Sequence, residues 1–158
     1  MTTHTAVSTA VLPDELKQEI FPMGTGANLT IESLKDLNAT IDRLFSAIEA
    51  GEDPCVLEDL CPYFGVVWPS ALAAAEQLIR LGSTLSGARV LEVGCGLALP
   101  SLVAARLGAL VTATDFHPEV PRFLARNLAL NNLGAGQVRY LPLDWMALGD
   151  APPLGPFD

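Results

Sequence analysis

Apolar residues recur in two rhythms along this chain, and the rhythm changes near residue 88. From Ile31 to Ala50, Leu34, Leu37, Ile41, Leu44, Phe45 and Ile48 return every three or four residues. That spacing predicts an amphipathic helix, with Gly51 placed to end it. The stretch from residue 1 to about 28 carries Thr, Ser, Pro and Gly without a sustained period, and reads as a loosely ordered lead-in. After an acidic connector, "CPYFGVVWPS" leads into a second predicted helix, whose apolar face includes Leu72, Ala75 and Ile79. Pro69 suits its first turn and Gly82 its C-terminal cap.

Beyond residue 88 the pattern becomes strand, glycine turn, helix, strand, helix, strand, which signals an α/β fold built on a parallel sheet. "ARVLEV" is the first strand, followed by a Gly-rich turn, a helix from about Ala98 to Leu107, and Gly108 as its stop. "ALVTATD" is the second strand. Pro118 opens a helix carrying Val120, Leu124 and Leu128 every fourth residue, with Asn132 and Gly134 at its end, and "QVRYLPL" is the third strand. Pro142 cannot donate to a central ladder, so this strand lies at a sheet edge or ends near the proline. "GDAPPLGP" reads as a loop, and Phe157 and Asp158 as the start of another element. The chain divides into a lead-in with a helical segment, residues 1–60, and the α/β region, residues 61–158.

Composition narrows the class. Half of the 158 residues are apolar and 17% are charged, enough to bury one core. No run reaches the roughly 18 apolar residues of a membrane-spanning helix, and the N-terminus has no basic and apolar secretory signal, so the expected compartment is the cytoplasm. A net charge of −9, with nine scattered Lys and Arg, argues against nucleic acid and gives a weak preference for basic protein partners. Cys55, Cys61 and Cys95 lack metal-ligand spacing, so free thiols are expected and no metal site.

The chemistry concentrates in "VLEVGCGLALPS". A strand ending in Glu92, then Gly94 and Gly96, turns tightly and lets the backbone approach a ligand where a Cβ would clash; Cys95 between them reads as a small residue tolerated in the loop. The following helix N-terminus adds unpaired N–H groups. A dinucleotide fingerprint wants Gly or Ala where Leu99 stands, which disfavours a nicotinamide-dependent oxidoreductase. Asp115 ends the second strand on the same rim, where a carboxylate can accept from both hydroxyls of a ribose. Its other reading is a turn or N-cap residue before His117 and Pro118. Phe116 can pack beside an adenine. Asp144 and Trp145 follow the third strand and bring a carboxylate and an aromatic face to that rim, suited to an adenine amino group and ring; an ordinary loop with a packed Trp is the plainer alternative. His117 reads as a turn residue, and Asn127 and Asn131, one helical turn apart, as exposed or capping groups.

Taken together, "CPYFGVVWPSALAAAEQLIRL", "VLEVGCGLALPSLVAARLGALVTATDFHPEV", "LARNLALNN" and "LPLDW" resemble the seven-strand, class I methyltransferases, specifically the protein-lysine methyltransferase group related to nicotinamide N-methyltransferase. The resemblance covers residues 61–158, with Ala98 where the family usually has a third glycine. It implies a Rossmann-like sheet in the order 3-2-1-4-5-7-6, of which only strands one to three are in this chain. It also implies S-adenosylmethionine, with S-adenosylhomocysteine as product, bound by residues matching Trp68, Glu92, Gly94, Cys95, Gly96, Phe116, Asp115, Asp144 and Trp145. For Trp68 a core anchor of the following helix is the alternative. The implied activity is methyl transfer to nitrogen, most simply of a protein lysine; a small-molecule amine, or a non-catalytic cofactor-binding module, are the other readings. The open edge of "ARVLEV" is expected to drive self-association of residues 1–158 or to need further chain.

Overall fold

The computed structural model describes residues 15–24, 27–51, 61–150 and 154–158, with backbone alone at 148–150. Its first elements correct the reading of the N-terminal part. Strand β1 (Leu16–Pro22) and strand β2 (Asn28–Leu34) form an antiparallel hairpin, Leu16 opposite Leu34 and Pro22 opposite Asn28. Leu29, Ile31 and Ser33 of β2 are buried, the alternation of a strand with one covered face. The predicted helix therefore loses its first residues: α1 runs Leu37–Glu49, and extended Asp36 caps it by accepting the Ala39 N–H at 3.0 Å. Leu34 belongs to the strand and Leu37 to the helix, yet their separation mimics a single helical period. The lead-in residues 1–14 and the connector with Cys55 lie outside the described residues.

The second half follows the sequence closely. Helix α2 (Pro69–Leu81) has Pro69 in its first turn and Gly82 as its cap. Strand β3 (Arg89–Val93), helix α3 (Leu99–Arg106), strand β4 (Leu110–Asp115), helix α4 (Val120–Leu130) and strand β5 (Val138–Pro142) alternate as expected. The three strands are parallel in the order β3-β4-β5, with Arg89 beside Leu110 and Val111 beside Val138. This is the order 1-2-3 of a partial Rossmann-like methyltransferase sheet. Pro142 closes β5, an edge strand, opposite Asp115, so its missing N–H disturbs no central ladder. Leu99 to Ala105 of α3 are all buried, because the helix packs on the sheet, on α2 and on the hairpin at once.

The hairpin is fastened by side chains that the sequence reading took as exposed or capping groups. Asn127 and Asn131 are buried, and both bind the backbone of β2. Asn131 accepts from the Thr30 N–H at 2.8 Å and donates to the Thr30 carbonyl at 2.7 Å. Asn127 accepts from the Glu32 N–H at 2.7 Å and donates to the Glu32 carbonyl at 3.3 Å. Four helical residues rise about 6 Å and two strand residues about 6.8 Å, so one turn of α4 matches alternate residues of β2. Arg126 adds an ion pair with Glu32 at 2.8 Å.

At the outer edge of β3, the Asp158 N–H donates to the Arg89 carbonyl at 3.0 Å and the Arg89 N–H donates to the Asp158 carboxylate at 2.9 Å. The bond from the Arg89 backbone N–H, with those from its guanidinium, holds the Asp158 carboxyl below its ordinary range. Asp158 thus lies alongside the first residue of β3, outside any helix or strand.

Candidate functional site

Strand β3 delivers Glu92 to the N-terminus of α3. The residue at the cap position, Ala98, has no side-chain oxygen to offer the helix, and sits at φ 60° where glycine would be unstrained. Glu92 supplies the missing acceptor from outside: its Oε2 accepts the Ser101 N–H at 2.9 Å and the Ser101 hydroxyl. Burial pushes the Glu92 carboxyl up to about 7, the Ser101 bonds pull the other way, and the nearby Asp115 charge adds to the rise. Ser101 was not singled out in the sequence; the available signal was a serine three residues into a helix whose cap is alanine.

The turn after β3 needs its glycines for two reasons. Gly94 and Gly96 have φ of 68° and 51°. A Cβ on Gly94 would lie 2.8 Å from the Trp145 ring, and one on Gly96 would lie 3.0 Å from the Phe64 carbonyl oxygen. Cys95 between them is buried, and burial together with the Glu92 and Asp115 charges raises its thiol far above the ordinary range. It stays protonated and is no nucleophile.

Asp115 at the tip of β4 ties two loops together. Its Oδ2 accepts the Gly96 N–H and its Oδ1 accepts the His117 N–H, each at 2.9 Å. The turn role and the rim position expected for it are therefore both realised in one side chain. Its carbonyl accepts from the Tyr140 hydroxyl at 3.1 Å and from the Leu143 N–H at 2.9 Å, which fixes the tip against β5. Phe116 is exposed beside it. His117 is buried, its Nδ1 accepting the Glu119 N–H at 3.1 Å and its ring 4.1 Å from that of Phe64.

One cleft of about 800 Å³ joins these groups, a size suited to a nucleoside-sized ligand. Trp68, Glu92, the Gly94–Gly96 turn, Asp115, Phe116 and Trp145 all line it. Asp144 does not: its Oδ1 accepts the Met146 N–H at 2.8 Å, so the carboxylate closes its own turn while the next residue, Trp145, enters the cleft. Trp68 is no core anchor. The residue is 45% exposed, and its Nε1–H donates to the Tyr63 carbonyl at 2.8 Å. The Pro62–Gly65 turn that precedes it is wedged in place, since a Cβ on Gly65 would fall 2.3 Å from Leu34 Cδ1. Tyr63, Phe64 and His117 also line the cleft and were missed as site residues, because their placement depends on contacts distant in sequence.

The cleft holds two carboxylates and no Lys or Arg, with exposed aromatic faces around a glycine turn. Such a site can receive a sugar's hydroxyls, a flat base and a cationic group together.

The chain is similar in sequence to known methyltransferases. The chain is 39% identical over 104 residues to the histone-arginine methyltransferase METTL23 of Rattus norvegicus, covering 60% of this chain and 45% of that protein. It is 34% identical over 73 residues to the electron transfer flavoprotein beta subunit lysine methyltransferase of Danio rerio, covering 46% of this chain and 28% of that one. The chain thus spans less than half the length of these relatives. A solved S-adenosylmethionine-dependent methyltransferase from Agrobacterium tumefaciens aligns over 49% of this chain and 25% of its own, with 28% identity and a TM-score of 0.43. The lysine methyltransferase family matches residues 62–158, from the turn before Trp68 to the last residue, and the chain belongs to that family.

Proposed function

We propose that this chain forms the cofactor-binding wall of an S-adenosylmethionine-dependent methyltransferase acting on a protein side-chain nitrogen, lysine in the first instance. The observation that carries this reading is the single cleft gathering Glu92, the glycine turn, Asp115, Phe116 and Trp145 in a member of the lysine methyltransferase family. The residues fit the cofactor chemically. Each Asp115 oxygen takes one backbone N–H and keeps lone-pair capacity for a ribose hydroxyl. Phe116 and Trp145 offer faces for adenine, and Cys95 contributes its backbone to the turn. The Asp115 carboxylate favours a cationic ligand, and Trp68 closes the site from the preceding segment. When bound, S-adenosylmethionine supplies an electrophilic methyl group. This chain's part is to hold and orient, by fixing the turn through Asp115 and the α3 N-terminus through Glu92.

The relatives differ in the acceptor their names carry, arginine in one and lysine in the other, and both are proteins. Calorimetric titration of the full-length protein with S-adenosylhomocysteine is expected to show binding, and Asp115→Ala to weaken it at least about tenfold, as loss of a partly buried carboxylate's hydrogen bonds implies. Incubation with methyl-labelled cofactor and cell lysate should then place label on protein. Label confined to small molecules refutes the protein acceptor.

A further inference from the structure

We infer that Tyr63 forms the acceptor side of the cleft, binding the aliphatic stem and amine of a substrate lysine against its ring; this rests on the methyltransferase reading above. The lining divides by chain segment. Everything suited to a nucleoside, the carboxylates, the glycine turn and the Trp145 face, comes from residues 92–117 and 145. The remaining lining comes from residues 61–74 and contains no Asp, Glu, Lys or Arg. Its two exposed rings are Tyr63, 54% exposed, and Trp68.

Those rings are held rather than loose. They meet edge to face with centroids 6.2 Å apart, and the Trp68 indole N–H is bonded to the Tyr63 carbonyl. Ring faces hold the aliphatic stem and attract the approaching ammonium, which can still lose its proton to the solvent that reaches this exposed wall. Neutral amine is the form the reaction needs: with its proton already released to solvent, the nitrogen lone pair forms the N–C bond while the C–S bonding pair leaves on sulfur. A guanidinium also stacks on such a ring, but it does not release its proton to solvent near pH 7 and this wall offers no base to take it. Glu92 and Asp115 are already committed to Ser101, Gly96 and His117 and give this wall no base.

The test uses the full-length protein, methyl-labelled S-adenosylmethionine, and lysate protein at sub-saturating concentration as the probe. Tyr63→Ala and Tyr63→Leu are expected to lower the rate of protein labelling by about three- to tenfold, and Tyr63→Phe to stay within about twofold of the unaltered protein. Affinity for S-adenosylhomocysteine should stay within about twofold in all three. Acid hydrolysis should return the label as methylated lysine. Equal labelling rates in Tyr63→Leu and the unaltered protein overturn the inference. So does a loss of cofactor affinity matching the loss of rate, or label recovered as methylarginine. Absence of S-adenosylhomocysteine binding in the unaltered protein removes the cofactor reading and this inference with it, a result distinct from the others.

Discussion

Glu92 meets two opposed demands in one side chain, capping α3 with a charge-bearing oxygen while buried away from water. Burial prevails, and the folded carboxyl ionises near 7 against 4.5 for the ordinary group. Between those values the unfolded chain is ionised at this position and the folded chain keeps its proton. The stabilisation is therefore complete below about pH 4.5, declines as pH rises, and is gone above about pH 7. Glu92→Gln should flatten that part of a melting-temperature profile, read by circular dichroism from pH 4.5 to 7.5. A profile as steep as that of the unaltered protein would refute the burial of this carboxyl. Gly94→Ala places a methyl group against the Trp145 ring at a positive φ. It should cost about 1–2 kcal/mol in urea denaturation and weaken S-adenosylhomocysteine binding. Glu92, Gly94, Gly96 and Asp115 were legible because strand ends and glycine turns declare themselves within a few residues. Ser101 and Asp144 were not, because the direction of each side chain is settled by a hydrogen bond that spacing does not reveal.

The junction between hairpin and α4 is made by amide side chains doing what a neighbouring strand would do. Removing one leaves a strand N–H and C=O of β2 without partners. Asn131→Ala is expected to destabilise the protein by about 2–3 kcal/mol and to speed amide hydrogen exchange at Thr30 more than at any residue of β4. Uniform acceleration across both sheets would show that the clasp has no local character. The parallel strands and their helices were readable from period alone. The hairpin was not, for physical reasons. "LKQEIFP" alternates weakly, since β1 is largely exposed and even Ile20 faces solvent at 67%. β2 then runs into α1 with apolar positions that keep a helix-like spacing across Asp36. What distinguishes the two elements is the cap at Asp36 and the amides of α4 that bind β2, and the second of these lies far along the chain.

At the scale of the molecule, two sheets share one core through α3, and the cleft opens along the tips of β3 and β4. Past Arg89 the outer edge of β3 pairs with no other described strand, and Val93 at its tip is 48% exposed. A polypeptide of these 158 residues is expected to sediment as dimers or larger species through that edge; a monodisperse monomer would contradict it. The asparagine clasp carries a further consequence, for the order of assembly. Thr30 and Glu32 find their partners 101 and 95 residues later in the chain. At about 5–20 residues per second of ribosomal synthesis, the hairpin waits roughly 5–20 s with Leu29 and Ile31 uncovered. Its birth therefore precedes its shelter, and nascent-chain chaperones have that interval in which to hold it.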